Sequence, residues 1–404
     1  MDVREERGRL LAQNKRLKHV DGAVWFCPSQ TNAGGYIVNV EAQTCTCLDH
    51  ETRACKCKHI FAVEYFQIVE VQADGSATVT ESVKVTRKTY PQDWPAYNRA
   101  QCEEKAIVQA LLRDLCANVA SPPHEGRGPK PLPMADIIYG CVTKVYSTVS
   151  GRRATTDIRE CEDRGMMHRA PSYNAIFKYM HREELTPILK ALIEQSAAPL
   201  ACVESKFAVD STGFSTNVYR CWFDAKYGRD MREHTWLKAH VMTGCLTNVV
   251  TAVEVTEGTV NDCPELPGLV KTTAANGFSM AEVSADKAYL SHANLAAITA
   301  TGAAPFIPFK SNSVDGASET WHRLFHFYSF KRSEFLAHYH QRSNVETTMS
   351  MIKRKFGGSL RSKLYTSQVN EVLCKVLCHN LAVLVSSIFE LGIDPQFGAM
   401  KEVA

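Results

Sequence analysis

The sequence predicts an α/β protein: a mixed sheet flanked by helices, preceded by a helical region and a small N-terminal domain built around cysteine and histidine. Three observations carry this. Strand-like and helix-like segments alternate after about residue 201, the stretch from Met134 to Ser196 has helical patterning with no convincing strand, and a cysteine cluster sits among short strands near the start. The 404 residues leave room for two to four domains. With 45% hydrophobic and 22% charged residues, wholesale disorder, collagen and coiled coil are excluded as descriptions of the whole chain. The net charge of +3 announces no bulk polyelectrolyte partner, although such an average can conceal basic segments.

The start, Met1 to Leu17, is charged throughout and has no apolar signal core, so the expected setting is intracellular. Fifteen cysteines, an odd number, then read as free thiols or metal ligands rather than disulfides. The most apolar late run, Val372 to Leu391, is interrupted by Lys375, His379 and Asn380, which suits a helix buried against protein better than one in lipid.

In chain order, residues 1–88 read as short strands (Gly35 to Val40, Ala77 to Val85) around the cysteines, with a helix from Ile60 to Phe66. Residues 89–133 hold the aromatics Tyr90, Trp94 and Tyr97, a helix with Ile107, Leu111, Leu112 and Leu115 on one face, and a Pro/Gly-rich arm from Ser121 to Pro133. In residues 134–200, Thr155 to Arg164 and Ser172 to Arg182 are short helices separated by Gly165 and Ala170-Pro171, a spacing compatible with a helix-turn-helix. Tyr173, Asn174 and Lys178, with Ser172, are then the side chains near a recognition-helix start that would reach bases. Basic residues Arg127, Lys130, Lys144, Arg152 and Arg153 accompany them.

The sharpest local motif is Cys45-Thr46-Cys47 followed after nine residues by Cys57-Lys58-His59. Two close pairs of thiolate and imidazole donors can close a tetrahedron around Zn2+ with no open position, as a structural site requires. Cys55 forms a competing Cys-x-Cys with Cys57, and free thiols are the alternative to any metal. The segment resembles the SWIM zinc-binding module in its Cys-x-Cys and Cys-x-His pairs and in Trp25, Pro28-Ser29 and the Gly35 to Val38 strand. That resemblance implies DNA or protein binding.

Residues 201–395 form the last segment. Lys206 to Phe214 carries Asp210 at the end of an apolar strand, and Trp236 to Met242 and Val249 to Val255 continue as an antiparallel meander through Thr243-Gly244. Asp262-Cys263-Pro264-Glu265 reads as a capped helix start, and His240, Asn261 and Asp262 have ordinary turn and cap readings. A strand from Ser279 to Ser284 leads to Asp286, then come a helix from Ser291 to Thr299 and a strand from Ala304 to Phe309. Three strands, helix, strand, helix, strand, helix is the element order of a ribonuclease-H-like domain, in which acids leaving neighbouring strands converge.

Ser333 to Phe356 lacks Gly and Pro and reads as one long helix. At about 100° per residue, Tyr339, Arg342, Glu346 and Lys353 fall on one face, a polar stripe costly to pack on a sheet unless charge is needed there. From Arg323 to Lys363 nine basic residues, including Lys331, Arg332, Arg354, Lys355, Arg361 and Lys363, face two acids, a local net charge of +7. Such a surface suits phosphate.

Asp210 in Val-Asp-Ser-Thr-Gly, Asp286 in Ala-Asp-Lys-Ala-Tyr, and Tyr339-x2-Arg342-x3-Glu346-x6-Lys353 resemble the DDE catalytic set of insertion-sequence transposases with the Tyr-Arg-Glu-Lys signature. The 59 residues between Asp286 and Glu346 leave little room for the β-rich insertion of some members. The resemblance implies strand cleavage and strand transfer at element ends by phosphoryl transfer on two Mg2+ or Mn2+ ions held by Asp210, Asp286 and Glu346, with Tyr339, Arg342 and Lys353 assisting. It also implies double-stranded DNA (terminal inverted repeats and target) as partner, a homodimer on DNA, no membrane, and the nucleoid of a prokaryotic cytoplasm. The other class of reading is a catalytically inactive DNA-binding regulator or scaffold descended from such an enzyme.

Overall fold

The computed structural model describes residues 3–13, 17–29, 35–53, 55–71, 77–81, 93–123, 130–216, 236–316 and 318–397. Tyr90, Pro91, Arg127 and the predicted strand end at 82–85 lie outside them. The chain divides into two compact units, residues 1–91 and 92–404.

In the first unit α1 (Val3–Gln13) is followed by β1 (Lys18–Asp21), β2 (Val24–Pro28), β3 (Gly35–Asn39) and β4 (Thr44–Cys45), an antiparallel sheet in sequential order. Then come α2 (Leu48–Arg53), α3 (Lys58–Phe66) and a hairpin of β5 (Gln67–Val71) and β6 (Ala77–Glu81). Trp25, Cys27, Val38, Ile60 and Val63 form its core, with the Trp25 and Phe66 rings edge to face at 5.5 Å.

The second unit opens with helices: α4 (Trp94–Cys116), α5 (Met134–Tyr146), α6 (Ala154–Asp163), α7 (Tyr173–Met180) and α8 (Leu185–Ala197). Asp93 caps α4 by accepting from the Ala96 amide, and Ser172 caps α7 through Ala175. Leu111, Leu112 and Leu115 are buried as their spacing predicts. These helices share one continuous apolar core with the sheet that follows, so the helical region does not stand apart as a separately packed body.

That sheet holds β7 (Lys206–Ser215), β8 (Trp236–Gly244), β9 (Val250–Glu257), β10 (Glu282–Ala285) and β11 (Ala304–Phe306) in the order β11-β10-β7-β8-β9. β7, β8 and β9 are antiparallel neighbours, whereas β10 and β11 run parallel to β7. α9 (Leu266–Ala275) and α10 (His292–Thr299, capped by Ser291) make the crossovers, which a parallel arrangement demands. The predicted element order is therefore present, with differences at the ends. β7 runs five residues past Asp210, because the β8 partner continues opposite it to Trp236. Asp262 makes no side-chain cap; its carboxylate lies 3.1 Å from Lys238 Nζ and 3.4 Å from the buried His240 ring instead.

The chain ends with α11 (Glu319–Phe330), α12 (Arg332–Tyr339), α13 (Ser343–Phe356) and α14 (Tyr365–Leu391). The predicted single helix over 333–356 is thus two, divided by a 3-10 turn at His340–Arg342. There the Ser343 hydroxyl donates back to the His340 carbonyl at 2.9 Å, a local bond that competes with the helical ladder.

α14 is apolar and long enough to cross a membrane, yet 78% of its most apolar window is buried inside the protein. Its polar residues have partners there. Asn380 accepts from the Val250 amide (2.9 Å) and donates to the Val250 carbonyl (2.7 Å), completing the start of β9. Asn370 donates to the carbonyls of Met180 and Arg182 and accepts from Thr186, tying the α7–α8 corner to the same helix.

His379 is buried with its Nε2 2.9 Å from the Asn248 carbonyl, and burial pushes its pKa down to about 4 from 6.5. Between those two values the unfolded chain binds a proton that the folded one does not, so stability falls as pH drops through that window. The shift corresponds to at most about 3 kcal/mol. His379→Gln, which keeps a donor toward Asn248, should flatten the loss of denaturant stability between pH 7 and 4; an unchanged slope would place the acid sensitivity elsewhere.

Candidate active site and metal centre

In the parallel pairing of β7 with β10, Val209 faces Ala285. One step further along both strands stand Asp210 and Asp286, side by side at the spacing of adjacent strands. Each has one carboxylate oxygen held by the next amide: Ser211 N donates to Asp210 Oδ1 at 2.8 Å and Lys287 N to Asp286 Oδ1 at 2.7 Å. The second oxygen of Asp210, Oδ2, faces the Arg342 guanidinium instead.

Glu346 comes from the first turn of α13. Its approach to Asp210 depends on how α13 is anchored. Gly357 ends the helix at φ +85°, a conformation that favours glycine, and the chain doubles back so that Ser215 N donates to Gly358 O (3.1 Å) and Leu360 N to Ser215 O (2.8 Å). From inside, Lys375 on α14 donates to the carbonyls of Gly357 (2.7 Å) and Ser359 (2.8 Å). Burial pushes the Lys375 pKa down to about 8. Glu371 accepts from the amides of Arg361 (3.0 Å) and Ser362 (2.8 Å). Sequence reasoning overlooked Lys375 and Glu371 as supports; two charges inside an apolar 27-residue helix were the signal available.

Arg342, just before α13, reaches Asp210 Oδ2 and Glu346 Oε1, both at 2.5 Å. The expectation that its guanidinium turns to phosphate meets a different arrangement here, a cation spanning two of the acids. Burial pushes the Asp210 pKa up; the Ser211 amide and Arg342 oppose this, while Asp286 and Glu346 add to it. A carboxylate whose pKa is raised first by burial and then by neighbouring acids is one that nearby positive charge keeps ionised.

Among the described residues, clefts flank the acids, and an aspartate lines each of two of them. One, of about 460 Å3, is lined by Asp210, Glu346, Lys353 and Arg354. Lys353, two turns after Glu346, is half-buried, and burial lowers its pKa. The second, of about 880 Å3, is lined by Asp286, Lys287, Lys310, Arg332 and Tyr339. Tyr339 ends α12, and burial raises its pKa. Lys331, Arg361 and Lys363 are exposed outside both clefts, and Lys331 pairs with Glu334. Lys355 is bound by Glu104 of α4. Tyr173, Asn174 and Lys178 lie on the first two turns of α7, away from these clefts, with Arg152 over the Tyr173 ring.

In the N-terminal unit Cys45 ends β4, Cys47 precedes α2, Cys57 precedes α3 and His59 sits in its first turn. All four are buried and their ligand atoms lie within 4.8 Å of one another. His59 Nδ1 is 3.7 Å from Cys45 Sγ and 3.9 Å from Cys57 Sγ, under the Tyr36 ring. Cys55 is outside the group, its carbonyl 2.8 Å from His50 Nδ1. The thiols titrate unequally: the hydrogen bond between them pushes Cys45 up and Cys57 down, and burial pushes Cys47 up. Three thiols and an imidazole converging in a buried space fit a soft divalent cation, which would ionise all three.

Arg342→Ala should leave Asp210 and Glu346 facing each other with no cation between them. In protein freed of divalent ions, denaturant unfolding should show a loss of about 1–3 kcal/mol, partly restored by Mg2+. Equal stability of the two proteins would show that the bridge contributes nothing.

Residues 202–381 match the family model described as Transposase DDE domain. That span takes in all of β7 to β11, all three acids and most of α14. A cryo-EM structure of a piggyBac transposase synaptic complex with hairpin DNA is similar at a TM-score of 0.37 and 10% identity, over 73% of this chain and 78% of that one, a level that specifies neither mechanism nor partner for this protein. What the match over 202–381 does establish is that this chain carries a transposase DDE domain, with Asp210, Asp286 and Glu346 inside it.

Proposed function

We propose that this protein is a DNA transposase that cleaves and joins strands at the ends of an insertion sequence, with a ribonuclease-H-like sheet as its catalytic domain. The observation that carries the reading is the side-by-side placement of Asp210 and Asp286 by strand register, with Glu346 anchored across from them inside the matched domain. The acids are the hard oxygen donors that Mg2+ or Mn2+ seeks, and two such ions would supply an activated nucleophile and charge neutralisation at the departing oxygen.

The residues of the chain do the rest. Asp210 and Asp286 each present the oxygen not tied to a backbone amide. Arg342 holds Asp210 and Glu346 together, and its planar guanidinium is also of the kind that would suit a phosphate beside the scissile bond. Lys353 and Arg354 in one cleft and Lys287, Lys310 and Arg332 in the other would track the two sides of the DNA backbone. The exposed Arg361 and Lys363 add long-range attraction, and Tyr173, Asn174 and Lys178 offer a second contact on α7. Terminal repeats and target DNA are the expected partners and a homodimer on DNA the working assembly, in the nucleoid of a prokaryotic cell.

We further infer that Cys45, Cys47, Cys57 and His59 hold a structural Zn2+ in a SWIM-type module. Ion binding would be folding energy for a small unit whose core includes the ligands themselves.

Asp210→Asn, Asp286→Asn and Glu346→Gln should each abolish Mg2+-dependent cleavage of DNA carrying the element's ends while binding to that DNA persists. Substantial cleavage by any one of them removes that carboxylate from the catalytic set, and an inactive wild-type chain that binds the ends would favour a regulator.

The zinc reading expects about one tightly held ion per chain in protein purified without chelator. Cys45→Ala or His59→Ala should lose it, as read by elemental analysis. A metal-free wild type would refute the assignment.

A further inference from the structure

Away from the acids and the cysteine cluster, a second set of ligand atoms converges where the loop after β11 enters α11. The loop is held in several ways. Ser318 caps α11 by accepting from the Trp321 amide (3.3 Å), the Trp321 indole donates to the Val314 carbonyl (3.0 Å), and the His292 ring stacks on Trp321 at 4.2 Å. Gly316 passes so close to the indole that a Cβ there would meet it at 2.7 Å. Its amide donates to Asp315 Oδ1 at 2.9 Å, which turns Oδ2 away.

Asp315 Oδ2 points at two imidazoles. His322 Nδ1 stands 2.6 Å from it and His326 Nε2 3.2 Å, one turn apart on α11, and the three ligand atoms lie within 4.8 Å of one another. With no metal, one carboxylate oxygen serves two ring N–H groups. A divalent ion can replace both protons and take two nitrogens and an oxygen at once. The His-x3-His spacing was in the sequence; the loop that supplies the acid was not.

We propose that Asp315, His322 and His326 form a second metal site, for a divalent transition ion of the zinc class rather than Mg2+, whose preference is for oxygen. Its remaining positions face solvent, since the two histidines are 58% and 42% exposed, so the ion exchanges readily and binds far more weakly than at the cysteine cluster. Binding would staple the loop to α11. Lys310 to Ser313 of that loop, and Phe325 and Tyr328 of that helix, line the cleft that holds Asp286, so the ion stiffens one wall of that cleft.

The test uses the full chain with its tightly held metal in place and millimolar Mg2+ present to occupy the acids. Calorimetric titration with Zn2+ at neutral pH should show one further equivalent of micromolar affinity, and hydrogen exchange over residues 314–322 should slow as it binds. His322→Ala with His326→Ala, and separately Asp315→Asn, should weaken that equivalent by roughly tenfold or more and abolish the exchange effect. His326→Gln, the mildest change at an exposed position, guards against a folding artefact. The equivalent should survive Cys45→Ala. No further equivalent in the wild type, an unchanged one in the histidine variants, or one lost with Cys45→Ala alone would overturn the proposal.

Discussion

Two charged side chains inside α14 govern the geometry around the three acids of the DDE domain. Lys375 and Glu371 are 2% and 3% exposed, and burying such groups is costly unless every donor and acceptor is met. What meets them is the backbone of Gly357 to Ser362, whose carbonyls face the lysine and whose amides face the glutamate. The corner after α13 is thereby clamped between α14 and the end of β7. Since α13 carries Glu346, this clamp sets where the third acid stands relative to Asp210. Removing either charge would leave the other buried with less compensation, so the pair specifies position more than it adds stability.

Around the acids the balance of charge runs the other way. Strand register forces Asp210 and Asp286 together, and α13 adds Glu346, a repulsive arrangement that burial worsens. Arg342 relieves it by spanning two of the three. The 3-10 turn that interrupts the predicted helix is what makes the span possible: Arg342 stands at the entrance of α13 rather than on its side, within reach of the strand as well as of Glu346. The same electrostatics that would bind metal ions is met here by a side chain.

The N-terminal unit shows a different economy. Its sheet is small, and Trp25, Val38 and Ile60 are buried in one cluster with Cys27, Cys45, Cys47 and Cys57; the cysteines fill that space as hydrophobes while three of them present ligand atoms to one another. The hydrogen bond with Cys57 raises the proton affinity of Cys45 and burial raises that of Cys47, and a cation at their centre would replace those protons with bonds.

Most elements, and the candidate ligands, were legible along the chain. Apolar runs bounded by turn residues marked the strands, periodic leucines marked α4, Ser172 and Ser291 marked helix starts, and the spacings within Cys45 to His59 and from Tyr339 to Lys353 named the candidate ligands, because each of these signals is local and needs only neighbours along the chain. Tertiary structure decided what local signals cannot hold. It excluded Cys55 from the cysteine group through the turn between α2 and α3, broke the 333–356 helix at His340–Arg342, engaged Lys355 with Glu104 some 250 positions away, and drew the helices of 134–200 into the core of the sheet. It also brought Asp315 to two histidines through a loop held by Trp321. The physical reason is common to all of these: a side chain's partner is set by which backbone segments pack together, and that is settled by burial summed over the whole unit.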